Sequence, residues 1–441
     1  MSDVHDTRAP LMGNSSFRWM VAGGTISMLG DQFTLIALPW LVLKMTGDSL
    51  ALGFALAALG LPVGIFILIG GALVDRHSPR RVLQGARAAS ALLVGTLAIL
   101  VLSHHATLSV VYGLALGIGF ASAFAIPSAT SLLPHVVPGD QLAAANAITM
   151  GARQLTFLAG PLLAGALIAF AGQGNAGDGG LADARGLGLA FAVDAFSFAV
   201  SVWALFKVRP LREVASDQLR EVPRDKENQH IWRTIGAGLA AVWNDYALRT
   251  CFIYWSLIAL FMGTFPVALP MLANERLHSA SAFGLLMGAH GAGTLLGVMI
   301  SGRYPRLRFG SFGSTVLFVD GAAGLLSIPL GGITSVWQGA ALLLPIGVLG
   351  GFIQVAGFTW LQRRVPKAML GRTMSIFMFI FMGMAPLSAA ITGWLMHSIT
   401  LAQLFAGSGA LLALIALSAY LFSPMRRVTD TPMRAESAPS A

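Results

Sequence analysis

The sequence has few charged residues and a single cysteine. Of its 441 residues, 11% are Asp, Glu, Lys or Arg, less than half of the about 25% that is typical of soluble proteins. Cys251 stands alone, which excludes an intrachain disulfide. Residues 1–17 are polar, and no short apolar core with a small-residue cleavage site follows them. A cleavable signal peptide is therefore not expected.

Several enzyme motifs are absent as well. None of the four lysines follows a glycine, so the GK[ST] loop of nucleotide hydrolases is excluded. The sequence contains no H-E-x-x-H zinc motif and no G-x-S-x-G elbow, and its nine histidines show no metal-ligand spacing. We therefore predict a protein that is not an enzyme and that needs neither a metal nor a cofactor.

Long apolar segments take the place of these features. Hydrophobic residues make up 56% of the chain, and the mean hydropathy is +0.74. About 20 helical residues cross the 30 Å hydrocarbon core of a bilayer, and most of the segments reach that length, although the ninth is short. The prediction is an all-α integral membrane protein in a lipid bilayer, with transmembrane helices near 19–43, 50–74, 82–102, 108–133, 142–171, 187–206, 251–273, 283–301, 312–329, 336–361, 373–396 and 401–422.

The basic residues are distributed unevenly between the loops. If the N-terminus is cytoplasmic, only Lys44, Arg185 and Arg276 of the 28 Lys and Arg fall outside, a strong positive-inside pattern. This count places Arg87 on the cytoplasmic side, and Arg153 there or inside the fifth segment. The pattern explains the net charge of +9 without nucleic acid. We predict a multi-pass plasma-membrane protein, as in a bacterial inner membrane, with both termini cytoplasmic.

The two halves of the sequence resemble each other. "VVP" at 136–138 matches "RVP" at 364–366, and "GPL" at 160–162 matches "APL" at 385–387, at a nearly constant separation. A duplicated six-helix unit follows, with the substrate site near the midplane between the halves. The linker contains apolar residues at helical spacing, which indicates an amphipathic helix on the membrane surface or one packed on the bundle. The predicted parts are a tail at 1–16, a bundle at 17–206, the linker at 207–249, a second bundle at 250–422 and a tail at 423–441.

One short stretch, "GGALVDRHSPRRVL" at 70–83, concentrates charge between the second and third segments. It resembles the loop signature of the major facilitator superfamily, with Ser78 and Pro79 as departures. The resemblance implies two six-helix bundles and a conformational-switch loop that grips the neighbouring half in the outward-open state. A merely solvated, positive-inside loop is the alternative. The residues that fit the signature's switch function are Gly71, Asp75, Arg76, Arg80 and Arg81.

Two further stretches extend the resemblance. "TFLAGPLLAG" at 156–165 resembles the fifth-helix signature of exporters in this superfamily, through Gly160, Pro161 and Gly165; an ordinary kinked packing helix is the alternative. "ISMLGDQFTLIALPWLV" at 26–42 resembles the branch that contains the enterobactin exporter and macrolide efflux proteins. Drug–proton antiporters of this superfamily often carry an Arg in the fourth helix. At the candidate positions this chain has Gly113 and Ala115 instead.

Ionisable groups within the apolar segments are candidates for proton coupling or substrate contact, because such groups are costly in hydrocarbon. Asp31 lies about 18 Å into the first segment at a rise of about 1.5 Å per residue. Its alternative is a structural ion pair, for example with Arg153. Asp194 and Asp320 also fit hydrogen bonding between helices, and His290 also fits packing. The polar candidates are Asp31, Asp194, Asp320, His290, Gln32 and Gln354.

These observations predict a secondary active transporter that works as a monomer. With the resemblance, they favour export of a small amphipathic molecule, such as a drug, siderophore or other metabolite, in exchange for protons. A facilitator or importer of a small metabolite is the first alternative, and a non-transporting membrane scaffold is the second.

Overall fold

A computed structural model of the chain describes residues 11–172, 184–209, 242–365 and 367–429. In these residues the chain is helical. The α-helices are α1 (Ser15–Thr46), α2 (Ser49–Arg76), α3 (Pro79–Leu102), α4 (Leu108–Leu132), α5 (Leu142–Gly172), α6 (Ala184–Lys207), α7 (Tyr246–Met262), α8 (Thr264–Glu275), α9 (Ala280–Arg303), α10 (Phe312–Ser327), α11 (Val336–Arg364), α12 (Lys367–Leu395) and α13 (Leu401–Phe422). Short 3-10 turns occupy Leu11–Gly13, Leu133–His135, Gly139–Gln141, Ile328–Gly332 and Pro424–Arg427.

Twelve stretches of the described residues are long and apolar enough to cross a membrane, which confirms the predicted number. α7 and α8 together form the seventh span, Tyr246–Glu275. The ninth apolar segment is short because α10 ends at Ser327 and continues as the 3-10 turn Ile328–Gly332. The predicted amphipathic helix of the linker falls mainly on residues 210–241, outside the described residues.

The chain forms two compact units by its internal contacts. The first comprises Met1–Leu41 and Ile65–Val222, and the second Val42–Gly64 and Pro223–Ala441. The boundary at 64/65 divides the single helix α2 between the two units. The division into bundles at 17–206 and 250–422 stays a prediction.

Each unit has its own apolar core. In the first unit, Phe17 packs with Leu83 from α3 and with Val208, which follows α6. In the second unit, the Phe312 ring stacks on the Trp360 ring with centroids 4.7 Å apart. Both rings are almost fully buried, so this pair anchors α10 to α11.

Helices α9 and α11 touch along a seam of glycines. A Cβ atom on Gly293 would lie 2.0 Å from the Leu344 carbonyl oxygen, and one on Gly351 would lie 2.1 Å from the Thr294 carbonyl oxygen. Any larger residue there would push the backbones apart. Small residues at this seam therefore supply the close packing that substitutes for a hydrophobic effect inside a membrane.

The seventh span is broken at Gly263, between α7 and α8. The Ser388 hydroxyl of α12 accepts a hydrogen bond from the Gly263 N–H at 3.1 Å and donates one to the Leu260 carbonyl. Backbone groups freed by a helix break must find partners inside a membrane. The Ser388 hydroxyl is the partner of two such groups, so a neighbouring helix stabilises the break.

Candidate functional site

Asp194 is the most deeply buried of the described carboxylates in the first unit, with 1% of its surface exposed. The Thr34 hydroxyl of α1 donates a hydrogen bond to Asp194 Oδ2. The Ser197 hydroxyl lies 3.3 Å from Asp194 Oδ1 and also donates to the Asp194 carbonyl at 2.7 Å. Asp194 thus joins α1 to α6 as a hydrogen-bond acceptor.

Close packing of α1 on α6 makes this contact possible. A Cβ atom on Gly30 would lie 1.9 Å from Ser197 Oγ and 2.6 Å from Asp194 Oδ1. Only glycine fits at position 30, because any side chain there would overlap these polar atoms of α6. The G-D-Q order of the sequence therefore places Asp31 and Gln32 directly beside the α1–α6 contact.

Arg87 of α3 completes the site, and sequence reasoning missed it. Its side chain is 7% exposed and acts electrostatically on both Asp31 and Asp194. The Arg87 guanidinium carbon lies 5.9 Å from the centroid of the Phe198 ring, within the range of a cation–π contact. The count of basic residues placed Arg87 on the cytoplasmic side, and the structure places it within the span Pro79–Leu102. The sequence signal that could have identified Arg87 as a site residue is its position inside the apolar segment 82–102.

The polar atoms of Arg87 are incompletely paired. Among the described residues, its Nε and Nη1 atoms have no hydrogen-bond partner. Buried polar atoms are nearly always hydrogen-bonded in folded proteins, so these two atoms are an exception to the usual pattern. We call Asp31, Arg87 and Asp194 the acid–arginine cluster.

Asp31 is partly buried, and no described residue forms a hydrogen bond or close ion pair with it. Arg153 is not its partner: the Arg153 side chain is exposed and lies 5.5 Å from the centroid of the Phe157 ring. Arg87 is the cation that acts on Asp31. Asp31 is therefore the member of the cluster that lacks a hydrogen-bond donor among the described residues.

The fifth-helix motif contacts α1 at Gln32, next to Asp31 in the sequence. A Cβ atom on Gly160 would lie 2.4 Å from Gln32 Cγ, and the Gln32 side chain is 6% exposed. Pro161 and Gly165 are buried within α5. The motif thus holds α5 against α1 one residue beyond Asp31, which connects this stretch to the acid–arginine cluster.

The polar candidates of the second unit do not form a comparable cluster. The Tyr254 hydroxyl of α7 donates to Asp320 Oδ2 of α10 at 3.0 Å, an interhelical bond. His290 lies at the α9–α11 seam, where its carbonyl faces Gly347, and its Nδ1 atom has no partner among the described residues. Gln354 is exposed on α11.

Comparison with known proteins decides the family. The profile of the Major Facilitator Superfamily matches residues 20–389, which is most of the chain. The protein belongs to the Major Facilitator Superfamily. It is thus a multi-pass secondary transporter with a small-molecule substrate, and not an enzyme.

Relatives of this superfamily member align over nearly the whole chain. The enterobactin exporter EntS of Salmonella choleraesuis (strain SC-B67) is 26% identical over 431 residues, which cover 96% of each chain. EntS of Escherichia coli O139:H28 is 24% identical over 424 residues, covering 96% of this chain and 95% of the relative.

Solved structures show the same fold at low identity. The nucleoside transporter NupG has a TM-score of 0.70 and 12% identity, covering 92% of this chain and 99% of its own. The D-xylose-proton symporter has a TM-score of 0.67 and 14% identity, covering 95% of this chain and 99% of its own. These two comparisons establish the fold alone.

The predicted switch loop of this Major Facilitator Superfamily member is described in part. Gly71, Asp75 and Arg76 belong to α2, and their side chains lie outside the described part of the chain. Arg80 Nη2 donates to the Phe206 carbonyl at the end of α6, at 3.3 Å, and Arg81 is exposed. Arg80 therefore caps a helix of its own unit, and the grip on the other half stays a prediction.

Proposed function

We propose that the protein exports a small amphipathic molecule in exchange for protons. The observation that supports this most strongly is the acid–arginine cluster, in which two carboxyl groups act electrostatically on one buried guanidinium within the first unit. Ionisable groups at such positions are costly and usually serve transport or proton relay. The direction of transport rests on the full-length similarity to the EntS exporters.

Charge balance explains how the cluster would carry a proton. One Arg and two carboxyl groups are neutral together when one carboxyl holds a proton, and an apolar surrounding favours the neutral state. Asp194 already accepts hydrogen bonds from Thr34 and Ser197. Asp31, which has no such donors, is therefore the proposed proton carrier, and loss of its proton would draw Arg87 toward it.

The second unit offers an apolar surface for the substrate. Phe377 and Phe381 of α12 lie in contact with Trp255, with ring centroids 5.2 Å and 6.5 Å from it, and Met384 packs beside them. Aromatic rings and flexible methionines adapt to varied apolar shapes. This surface suits the apolar part of a drug, siderophore or other metabolite.

Transport into inside-out vesicles tests the proposal. Vesicles with the protein should accumulate a substrate from a compound panel against its gradient when the lumen is acidic, and vesicles without it should not. A protonophore should abolish the accumulation. Accumulation that survives the protonophore, or mere equilibration of the substrate, would favour the facilitator or importer alternative.

Cysteine labelling tests the proposed orientation. In a Cys251→Ala background, Thr107→Cys should react with an impermeant thiol reagent in intact cells, whereas Gly302→Cys should react only in inside-out vesicles. Both positions are exposed, and a Cβ atom on Gly302 meets nothing within 4 Å. Labelling of Gly302→Cys in intact cells would reverse the predicted topology.

A further inference from the structure

Basic residues far outnumber acidic ones over a long part of the second unit. From Arg276 to Thr429 the sequence has ten Lys and Arg but a single carboxyl side chain, Asp320, and Asp320 accepts its hydrogen bond from Tyr254 between two spans. One of the ten, Arg364, pairs with the Asp245 carboxylate at 2.8 Å. The other basic residues of this stretch have no acidic residue close to them in the sequence.

A short segment after α13 displays two of these arginines. Met425 and Val428 of this segment are 0% and 2% exposed, whereas Arg426 and Arg427 between them are exposed. The Gly313 N–H of α10 donates to the Val428 carbonyl at 3.0 Å. The two buried side chains and this hydrogen bond fix the backbone, so both arginine side chains start from a fixed position.

The connection between α9 and α10 brings further arginines to the same place. The Ser311 hydroxyl donates to the Arg426 carbonyl at 2.6 Å, which ties the C-terminal segment to the start of α10. The Arg308 guanidinium carbon lies 5.7 Å from the centroid of the Phe312 ring, in the first turn of α10. Arg306, two residues earlier, is exposed. Two segments that are far apart in the sequence thus meet at one helix start.

We call Arg306, Arg308, Arg426 and Arg427 the basic rim. Three of them, Arg306, Arg426 and Arg427, form no ion pair with a carboxylate among the residues that the structure describes. A guanidinium group matches a phosphate group in charge and can donate two parallel hydrogen bonds to it. The basic rim therefore has the chemistry that binds phosphate.

Exposed aromatic rings continue from the rim onto the side of the spans. Phe309 is 52% exposed and Phe318 is 54% exposed, and their ring centroids lie 4.6 Å apart. Phe318 belongs to the span Phe312–Gly332, so its exposed face meets the hydrocarbon of the bilayer. Phe422, at the end of α13, is 87% exposed. The rim therefore lies at the height of the membrane where headgroups replace acyl chains.

We propose that the basic rim binds the headgroup of an anionic phospholipid, whose acyl chains lie on Phe309 and Phe318. A soluble anion would use the arginines but gain nothing from the aromatic surface. A zwitterionic lipid would use that surface, but its own cation would oppose the arginines. Charge and continuity with the surface of the spans therefore select an anionic lipid of the leaflet at this end, which is predicted to be cytoplasmic.

Native mass spectrometry of the full chain in a neutral detergent tests the preference for lipid. The protein should retain one phosphatidylglycerol molecule at concentrations at which phosphatidylcholine with the same acyl chains is not retained. The alternative is that these arginines only set the orientation of the chain in the membrane. Equal retention of the two lipids would favour that alternative and overturn the proposal.

Substitutions then locate the site. Arg426→Gln with Arg427→Gln should weaken phosphatidylglycerol binding about 25-fold, because each arginine near an anionic lipid surface contributes about fivefold. The matched control also removes two exposed arginines, Arg185→Gln in the first unit and Arg276→Gln near the opposite end of α9. It should change binding by less than about twofold. Equal weakening in both proteins would show that only net charge matters, which would contradict a site.

A variant of the other segment and a competitor complete the test. Arg306→Gln should weaken binding about fivefold, and it decides the outcome if the 426/427 variant unfolds at a lower temperature in lipid-free detergent. Inorganic phosphate at the concentration of the lipid headgroup should not displace the lipid. Displacement would make the rim a site for soluble phosphate and refute the assignment to lipid. None of these measurements needs a transported substrate, so their result stands whether or not export is confirmed.

Discussion

Asp31→Asn is expected to abolish proton-driven export while substrate exchange continues. The amide cannot take up or release a proton, so the acid–arginine cluster would no longer change its charge during the cycle. Inside-out vesicles loaded with unlabelled substrate should still exchange it for labelled substrate. The same vesicles should show no accumulation when a proton gradient is imposed.

Two further variants sharpen this test. Asp140→Asn removes an exposed carboxylate of the 3-10 turn Gly139–Gln141, which is not part of the acid–arginine cluster, and should leave accumulation intact. Arg87→Gln removes the cation of the cluster and should change the pH dependence of accumulation rather than mimic Asp31→Asn. Gradient-driven accumulation by Asp31→Asn would move the coupling role to another group, with Asp194, Asp320 and His290 next to be examined.

Gly30→Ala is expected to destabilise the first unit strongly. The added methyl group would overlap Ser197 Oγ and approach Asp194 Oδ1, and overpacking of this kind costs about 1–3 kcal/mol. The buried carboxylate would also lose part of its hydrogen bonding. The midpoint of thermal unfolding in detergent should therefore fall.

Gly24→Ala is the matched control for this substitution. It lies on the same helix, but a Cβ atom there meets nothing within 4 Å. Alanine also has the higher helix propensity, so the midpoint should stay or rise slightly. Equal losses at both positions would show that α1 does not pack on α6 as described.

The sequence predicted the spans better than the site. Length and hydropathy locate membrane helices because each span must satisfy its own backbone hydrogen bonds and match the bilayer. Asp31 and Asp194 were recognised because a carboxyl group is conspicuous in an apolar segment. Arg87 was counted among the cytoplasmic residues because it lies near the end of its segment that is predicted to be cytoplasmic, where arginine also serves as a topology signal.

Pairing between helices was beyond the sequence for a different reason. Tyr254 and Asp320 each lie in an apolar segment, and nothing local shows that α7 and α10 bring them within 3.0 Å. Arg308 and Arg426 occur in two short segments, and nothing in either segment shows that both meet at the start of α10. Such contacts depend on which helices become neighbours, and hydrophobic periodicity in a single chain does not specify this when every helix is apolar.

The interruption at Gly263 has a consequence for the mechanics of the seventh span. The hydroxyl that bridges the gap belongs to Ser388 of α12. The break in the seventh span therefore depends on a second helix. Displacing α12 would break both hydrogen bonds and leave the Leu260 carbonyl and the Gly263 amide without a partner in the hydrocarbon core. Any movement of α12 should consequently carry the Gly263 end of the seventh span with it, so that a pair of helices, rather than one, moves as a unit.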